Sequence, residues 1–460
     1  MTKQGLDIEK TLEIVDAAAD LDIDPHSGKL FAYVYETGDK GLRKVTQESL
    51  LRFSEKNMLD FTVFRSAMMF EREIVKFGKE LMHGDDNVVG TVTSGGTESI
   101  FLAVKAARDH HRKVLGKTTV PEIVVPVTIH PAFYKAADYM GLDVKRFPID
   151  ERRKADLASL NEAITDRTAL IALSAPNWPF GTIDPIKEAG EIAKGKGVLL
   201  HVDACLGGFI LPFFERIGEK VPLFDFRVDG VTSISLDVHK YGYAPKGSSI
   251  VLFANSELKK NSMYVDLSSP GYVFVNQAVL SSRSMGPLAA AYAAIRYLGK
   301  EGYEKMSRKV LVARNKIFHG LRETGFDSVA PIESSVLSLY SNKLDILNFA
   351  INMGRKGWCI SLQRGLKEFG IPINIHLTIS PIHEKIAENF IKDAKEAASI
   401  TSGFNMKNIF ESIQKGEIDK VMEDINTGKL DSIVVPLLLE ALPQGVATDL
   451  VKEVVIQWFK

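Results

Sequence analysis

The sequence has few cysteines and almost no net charge, and each shortage excludes a class of protein. Only two of its 460 residues are cysteines, which excludes a disulfide-based scaffold and is typical of a reducing compartment. The formal net charge of −1 at pH 7 offers no basic surface for nucleic acid. We therefore expect a cytoplasmic protein that does not bind nucleic acid.

Long hydrophobic runs are also missing. No stretch approaches the roughly 20 apolar residues that span a bilayer, so we expect no integral membrane segment. The opening stretch MTKQGLDIEKTLEIVDAAADLDID is acidic and lacks the apolar core of a signal peptide. The composition, with 45% hydrophobic and 25% charged residues, is that of a globular protein, and the length suits two or three domains.

Residues 80 to 300 alternate between β-branched apolar runs and segments with helical periodicity. The predicted strands cover residues 88–93, 122–128, 168–175, 198–204, 230–237 and 248–254. Because helices separate most of them, the pattern predicts parallel βαβ units, with helices on both faces of one sheet.

This pattern predicts four parts. We expect an N-terminal segment over residues 1–75 and a large α/β domain with a mostly parallel sheet over 76–300. A small α+β domain over 301–400 would contain the strands SVLSLYS and INIHLTIS. A helical extension would cover 401–460.

The segment TSGGTES, residues 93–99, follows a predicted strand and opens a long predicted helix. Its glycines, Gly95 and Gly96, let a ligand approach the backbone, and a helix N-terminus attracts a phosphate. Thr97 adds a hydroxyl. The alternative is an ordinary helix cap with glycines for close packing, and this motif alone does not decide between the two. No GxGxxG motif with a downstream ribose-binding acid is found, which argues against a nucleotide-dependent dehydrogenase.

Two further polar residues follow apolar strands, where α/β folds place ligands. Asp203 ends the strand VLLHVDA, and a carboxylate there is costly to bury without a cationic partner. Lys240 comes after the next strand, in SISLDVHKYGYAPKGSS, among Gly, Tyr and Pro rather than on a helix surface. We expect the two to meet in one crevice, and we expect burial to lower the pKa of Lys240 and make its amine a nucleophile. A helix-capping Asp203 and a surface Lys240 are the alternatives.

Two histidines lie near the same predicted sheet edge. His130 follows a predicted strand and could lie flat on an aromatic cofactor, although taken alone a capping or core histidine is the better interpretation. His201 lies within a strand and is interpreted as a core histidine.

Together these segments supply a phosphate cradle, a stacking group, an anion and an amine, which is what pyridoxal-phosphate chemistry requires. The chain resembles the sphingosine-1-phosphate lyase family, within the fold-type I, group II decarboxylase superfamily, from about residue 25 to 395. The resemblance lies in VTSGGTESIFLAVKAARD, LSAPNWPFGTIDPI, LHVDACLGGFILPFFE, FDFRVDGVTSISLDVHKYGYAPKGSSIVLF and KGWCISLQ. It implies an aspartate-aminotransferase-like large domain, pyridoxal 5′-phosphate as cofactor and a homodimer with shared active sites.

The resemblance also implies residue roles for the cofactor. Lys240 would bind the cofactor covalently, Asp203 would keep the pyridine nitrogen protonated, and His130 would stack on the ring. Four further positions match residues that hold the cofactor phosphate: Gly96, Thr97, His239 and Ser282, with Gly95 in the same loop as Gly96. Of these, Ser282 would reach the phosphate from the partner subunit.

For the substrate, the resemblance implies that Lys246 grips the phosphate group and that Tyr35 enters from the other subunit. Tyr243 and the freed Lys240 are candidate proton carriers. Where the family has Asn-Pro-Leu-His, this chain reads NMLD, so that Asp60 takes the position of a substrate-binding histidine.

The expected reaction is cleavage of a phosphorylated amino alcohol to an aldehyde and phosphoethanolamine, as part of sphingolipid metabolism. Asp60 keeps an amino-acid decarboxylase open as the alternative, with Arg65 or Arg283 orienting the substrate carboxylate. A non-catalytic protein is disfavoured because both Lys240 and Asp203 are present.

Overall fold

The computed structural model describes residues 5–271, 273–400, 448, 451–452, 455–456 and 459. The predicted helical extension over 401–460 therefore lies, apart from those few positions, outside the described residues. Within the described part of the chain, no helix combines the length and the apolar character needed to cross a bilayer.

Three helices precede the main sheet, and they are α1 (Ile8–Ala19), α2 (Lys40–Arg52) and α3 (Arg65–Leu81). α1 begins at the N-cap Asp7, whose side chain accepts a hydrogen bond from the backbone of Lys10, and none of its residues is buried. α3 instead packs on the sheet, where Ile74 is fully buried. The predicted N-terminal segment thus ends inside a helix that belongs to the packing of the large domain.

The large domain contains a seven-stranded sheet in the order β1-β7-β6-β5-β4-β2-β3. Its strands are β1 (Val89–Thr93), β2 (Glu122–Pro126), β3 (Asp143–Phe147), β4 (Thr168–Ser174), β5 (Leu199–Asp203), β6 (Val231–Leu236) and β7 (Ser249–Phe253). The strands from β6 to β3 pair in parallel, as the alternating pattern predicted. The mostly parallel sheet is therefore confirmed.

The strand β7 departs from the prediction because it runs antiparallel to both β6 and β1. A parallel pair needs a long crossover, usually a helix. The link between β6 and β7, residues 237–248, contains no helix, so the chain turns back instead.

Helices cover both faces of the sheet. They are α4 (Gly96–Asp109), α5 (Ala132–Met140), α6 (Leu157–Ala163), α7 (Ile186–Lys196), α8 (Leu211–Arg216) and α9 (Ser256–Ser262). Along β4, Leu170 and Ala172 pack in the cluster with α4 and α5, whereas Ile171 and Leu173 pack in the cluster with α3 and α7. This alternation is the period of two that a strand imposes, and it explains why β4 is apolar throughout.

A short hairpin and a long helix lead to the small domain. The hairpin consists of β8 (Tyr264–Asp266) and β9 (Phe274–Asn276), and the helix is α10 (Gly286–Glu323). α10 is interrupted at Gly299, whose φ of 55° and ψ of −179° are not helical. The predicted domain boundary at residue 300 falls next to this kink, and the division into domains stays a prediction.

The small domain has a four-stranded antiparallel sheet in the order β10-β11-β13-β12. Its elements are β10 (Asp327–Ser328), β11 (Val336–Tyr340), α11 (Ile346–Arg355), β12 (Ser361–Gln363), β13 (Asn374–Thr378) and α12 (His383–Ser399). The two strands expected from SVLSLYS and INIHLTIS are thus confirmed as β11 and β13.

The segment before α2 lies against this small domain. The backbone of Phe31 donates a hydrogen bond to Cys359 and accepts one from Thr378, and its ring stacks on His383 with centroids 4.1 Å apart. Ile382 donates to the carbonyl of Glu36 at 3.1 Å. These contacts fix the position of the intervening Tyr35.

Candidate active site

The carboxyl ends of β5 and β6 form the centre of the candidate site. Asp203, the last residue of β5, is 7% exposed and pairs in register with Ser235 of β6. Its Oδ1 accepts hydrogen bonds from the backbone of Cys205 at 3.0 Å and from the hydroxyl of Ser235 at 3.5 Å. The carboxylate is thus held by groups of the chain itself.

Lys240 lies in the turn after β6, and its nearest carboxylate is Asp237. The Nζ atom lies 2.9 Å from Oδ2 of Asp237, which is 2% exposed. Burial lowers the pKa of Lys240, but Asp237 first and then Cys205, Tyr35 and Asp203 raise it, so that it lies above the ordinary value. The prediction of a lowered pKa is therefore wrong, because it left out the carboxylate three residues earlier.

His130 lies in the loop between β2 and α5. Its Nδ1 accepts a hydrogen bond from the backbone of Ala132 at 3.1 Å, and its ring stands edge-on to Trp178 with centroids 6.2 Å apart. Burial lowers the pKa of His130, while the charge of Asp203 opposes that shift and the charge of Lys240 adds to it. These electrostatic contacts place His130 at the same sheet edge as the acid and the amine.

The predicted phosphate cradle is the N-terminus of α4, with Gly95 at the N-cap and no side-chain cap. A Cβ atom at Gly96 would lie 2.8 Å from Sγ of Cys205 and 2.9 Å from the Asp237 carboxylate, so only glycine fits there. At Gly95 a Cβ would lie 3.3 Å from the ring of His239. The exposed Thr97 follows in the first turn of α4.

His239 links the cradle to the lysine. Its Nδ1 accepts a hydrogen bond from the backbone of Ser248 at 3.2 Å, which assigns the ring proton to Nε2. That Nε2 lies 3.5 Å from Oδ2 of Asp237. Burial lowers the pKa of His239, with Asp237 acting against this shift.

Tyr35 reaches the lysine of its own chain. Its hydroxyl acts electrostatically on Lys240, and burial, the largest cause, raises the pKa of Tyr35 to about 12. The ring stands edge-on to Tyr241, with centroids 4.9 Å apart, and the Nζ atom of Lys246 lies 5.1 Å from its centre. The chain thus brings Tyr35 within electrostatic reach of its own Lys240, and the expectation that it enters from the other subunit stays a prediction.

Lys246 points along the same side of the site. Its Nζ donates to the carbonyl of His239 at 3.3 Å. Lys246 as a whole residue is exposed, but its ammonium group is partly buried against the site. This burial and the charge of Lys240 lower the pKa of Lys246 to about 8. The amine therefore keeps its charge at neutral pH.

Tyr243 stays a predicted proton carrier. Its ring stacks on Tyr303 at 6.1 Å and stands edge-on to Tyr241, and burial raises its pKa well above the ordinary value. Between the two tyrosines, Tyr35 is the one with a strong electrostatic effect on Lys240.

Four predicted residues lie at the periphery of the single chain. Ser282, Asp60 and Arg65 are exposed, and Arg283 is half-buried. Asp60 accepts hydrogen bonds from the hydroxyl and the backbone of Thr62, and the first of these contributes most to lowering its pKa. Arg283 donates from Nη1 to the carbonyl of Val92 at 2.9 Å. Within the described residues, none of the four hydrogen-bonds to Lys240, Asp203 or His130.

His201 is a core histidine, as predicted. It is fully buried, and its two ring nitrogens contact the hydroxyls of Ser233 at 2.9 Å and Ser235 at 3.1 Å. Burial lowers the pKa of His201 to about 4, so the ring is neutral. Since Ser235 also contacts Asp203, the histidine supports the site carboxylate from behind.

Residues that the sequence argument missed also contribute. Asp237 pairs with Lys240, Cys205 hydrogen-bonds through its backbone to Asp203, and Trp178 borders His130. Asp237 follows β6 as Asp203 ends β5, so the strand-end argument that found Asp203 could have found it too.

The comparisons with known proteins agree with this geometry. Residues 54–335 match the model of the pyridoxal-dependent decarboxylase conserved domain. The sphingosine-1-phosphate lyase of Arabidopsis thaliana is 37% identical over 379 residues, which are 80% of this chain and 68% of that protein. The sphingosine-1-phosphate lyase of Dictyostelium discoideum is 37% identical over 402 residues, 86% of this chain and 74% of that protein. The chain belongs to the sphingosine-1-phosphate lyase family.

Solved structures support membership of the lyase family and the predicted fold. The sphingosine-1-phosphate lyase of Burkholderia pseudomallei superposes with a TM-score of 0.81 at 30% identity, over 92% of this chain and 96% of that one. The glutamate decarboxylase of Lactobacillus brevis superposes with a TM-score of 0.75 at 21% identity, over 86% of this chain and 93% of that one. At that identity the decarboxylase shows a shared fold alone.

Membership of the lyase family implies pyridoxal 5′-phosphate as the cofactor, and the residues present fit it. The bare backbone at Gly95 and Gly96 leaves room for a phosphate at a helix N-terminus. Lys240 supplies an amine, and Asp203 a fixed carboxylate at the neighbouring strand end. The chain is thus a pyridoxal-phosphate-dependent lyase.

Proposed function

We propose that this enzyme cleaves the Cα–Cβ bond of a phosphorylated long-chain amino alcohol of the sphingosine-1-phosphate type. The products would be an aldehyde and phosphoethanolamine. The observation that carries the proposal is the position of Lys240, 2.9 Å from Asp237 in the turn after β6, with Asp203 at the end of the neighbouring strand β5. Tyr35, Asp203 and Lys246 all interact electrostatically with this lysine.

Each residue has a role that its surroundings support. Pyridoxal phosphate, when bound, supplies an electron-accepting ring for the bond that breaks. Asp203, fixed by Cys205 and Ser235, is the partner for the ring nitrogen. Lys240 would bind the cofactor, and His130 would lie against it. The α4 N-terminus with His239 would hold its phosphate.

The substrate side of the site is assigned to Tyr35 and Lys246. Tyr35 keeps its proton at neutral pH because its pKa is about 12, so it can hydrogen-bond to the substrate hydroxyl or to the leaving oxygen. Lys246 offers a cation to the substrate phosphate. Its charge disappears as the pH rises through its pKa of about 8, so binding of the phosphate should weaken in alkaline solution.

An amino-acid decarboxylase is the weaker alternative. It needs a cation that orients the substrate carboxylate. Arg65 is exposed at the start of α3, and Arg283 is engaged with the carbonyl of Val92. Asp60 is itself engaged by Thr62 and does not favour either substrate.

The homodimer with shared active sites belongs to this proposal. Seven apolar side chains along the β8–β9 hairpin and the loop after it are more than half exposed: Tyr264, Val265, Leu267, Val273, Val275, Val279 and Leu280. A contiguous exposed apolar surface is typical of an interface. Glu98 in the first turn of α4 accepts hydrogen bonds from Val279 and Leu280, so this surface adjoins the phosphate cradle. The exposed Ser282 would then act in the partner's site. A cytoplasmic location and a place in sphingolipid metabolism are proposed with it.

Product analysis tests the proposal. The enzyme is incubated with two panels, phosphorylated amino alcohols of increasing chain length and free amino acids, with Lys240→Ala as the inactive control. We expect equal amounts of aldehyde and phosphoethanolamine from the first panel and no carbon dioxide from the second. Carbon dioxide from an amino acid, without aldehyde from the first panel, would establish the decarboxylase instead.

A further inference from the structure

We propose that Asp237 is a positioning residue that pairs with Lys240 and keeps it in its ammonium form in the cofactor-free enzyme. Lys240 then acts as the proton carrier of the reaction and becomes a nucleophile only after losing a proton. The reaction step rests on the proposed function, whereas the ion pair does not.

The turn after β6 places the two groups together. Oδ2 of Asp237 lies 2.9 Å from Nζ of Lys240. The backbone N–H of Lys240 donates to the carbonyl of Asp237 at 3.3 Å, and the N–H of Asp237 donates to the carbonyl of Cys205 at 3.3 Å. The backbone of Asp237 is therefore tied to the end of β5 and to the turn that carries Lys240, and the residue is 2% exposed. The side chain of Lys240 is 26% exposed, so water screens the pair in part, but removal of the lysine charge would leave a buried carboxylate without a cation.

A purely structural role explains this carboxylate less well. It lies under the N-terminus of α4, since a Cβ at Gly96 would come within 2.9 Å of both its oxygens. It does not cap the helix, however, because α4 has no side-chain cap and the neutral group near the carboxylate is the hydroxyl of Ser249. Among the described residues, the other ionisable group that approaches it is Nε2 of His239, at 3.5 Å. A buried carboxylate with one neutral donor nearby depends mainly on its close cation, Lys240, for compensation.

Asp237 is also the dominant charge around Lys240. The titratable groups that interact with the lysine from the surrounding elements are Asp237, Cys205, Tyr35, Asp203, His239, His130 and Lys246. Burial raises the pKa of Cys205 and of Tyr35, so both are neutral at pH 7. Of the two remaining anions, Asp203 already accepts hydrogen bonds from Cys205 and Ser235 and has the weaker effect on the lysine.

The ion pair gives the proposed cleavage a closed proton path. Once the substrate amine is bound, Lys240 is a free neutral amine. It takes the proton of the substrate hydroxyl as the Cα–Cβ bond breaks, and Asp237 stabilises the ammonium that forms. The ammonium then returns that proton to Cα of the amino product. One O–H bond and one C–C bond break, one C–H bond and the C=O double bond form, and Lys240 ends as a neutral amine.

The test measures capture of the cofactor rather than turnover. Cofactor-free wild type, Asp237→Asn and Asp203→Asn react with limiting pyridoxal 5′-phosphate between about pH 6.5 and 10. Borohydride then fixes the product, and mass spectrometry counts the label on Lys240. Each capture rate is divided by the rate at which Nα-acetyl-lysine amide reacts with pyridoxal 5′-phosphate at the same pH. This ratio cancels the changes in reactivity that come from the ionisation of pyridoxal 5′-phosphate itself.

We expect the wild-type ratio to stay nearly level over this range, because both amines are mostly protonated up to about pH 9.5. Loss of an adjacent opposite charge moves a pKa by roughly one to three units, so Asp237→Asn should capture the cofactor at least about tenfold faster at pH 7. Its ratio should fall as the pH rises. Asp203→Asn, the matched control, should follow the wild type more closely.

A ratio for Asp237→Asn that coincides with the wild type at every pH would overturn the inference. If that variant does not fold, the wild type decides alone. A capture rate that levels off below about pH 9 shows a lysine pKa below the ordinary value of about 10.4 and overturns the inference as well. Absence of label on Lys240 in all proteins contradicts the proposed function instead, so the two failures are distinguishable.

Discussion

Asp203 and Asp237 occupy equivalent positions, at the ends of two neighbouring parallel strands, yet the chain holds them differently. Asp203 accepts hydrogen bonds from Cys205 and Ser235, neither of which has to move during a reaction. Asp237 is compensated by Lys240, which must change its bonding partner in each turnover. Of the two buried acids, the first is held in place by hydrogen bonds, while the second pairs with the lysine that changes its bonding partner.

The largest effect on kcat should come from removing the charge of Asp203, the carboxylate held by hydrogen bonds. Asp203→Asn keeps the shape of the side chain but removes the charge opposite the ring nitrogen, so kcat should fall by about 10²-fold or more. The cofactor should still label Lys240. Steady-state kinetics and borohydride labelling measure the two quantities.

The matched control is Asp225→Asn, which removes an equally buried carboxylate that pairs with Arg227 at 2.8 Å, away from the site. It should lower the stability without changing kcat. Equal losses of kcat in both variants would mean that Asp203 acts through folding and not through the cofactor.

A smaller effect, on the stability of the fold, should come from His201, which contacts Ser235 behind Asp203. His201 is neutral in the fold because its pKa of about 4 lies below the unfolded value of 6.5. Its stabilising contribution is complete above pH 6.5 and is lost as the pH falls towards 4, because the unfolded chain binds the proton first. Between pH 7 and 5 this one group should remove about 2 kcal/mol from the free energy of unfolding.

His201→Gln tests this expectation by denaturant unfolding at both pH values. The variant is less stable at pH 7, but its loss between pH 7 and 5 should be smaller than that of the wild type by about 2 kcal/mol. Parallel pH profiles of the two proteins would show that the histidine does not stay neutral in the fold.

The sequence predicted the elements of the site better than their charges. Parallel strands β4, β5 and β6 followed from apolar runs such as TALIALSA, and strand adjacency was enough to expect Asp203 and Lys240 at one edge. The direction of β7 was not predicted, because periodicity does not show which way a strand pairs. The predicted direction of the Lys240 pKa shift was wrong because the position of Asp237 in the turn depends on three-dimensional contacts.

Tyr35 shows a second limit. The family resemblance assigned it to the substrate, but its position within its own chain is set by contacts between residues 31–36 and the distant small domain. Sequence separation of more than 300 residues hides such contacts from any local pattern. The sequence predicted Gly96 as a position where a ligand can approach the backbone. The structure shows a second reason for glycine there, because a Cβ atom would clash with Cys205 and Asp237.

The comparison of the two carboxylates can be tested most directly in a crystal structure of the enzyme with pyridoxal 5′-phosphate. We predict that the cofactor is bonded to Nζ of Lys240 and that the pyridine nitrogen lies within about 2.6–3.2 Å of an Asp203 oxygen. Asp237 should stay beside Lys240 and away from the ring nitrogen. A pyridine nitrogen that faces Asp237, or a cofactor attached to another lysine, would contradict the account.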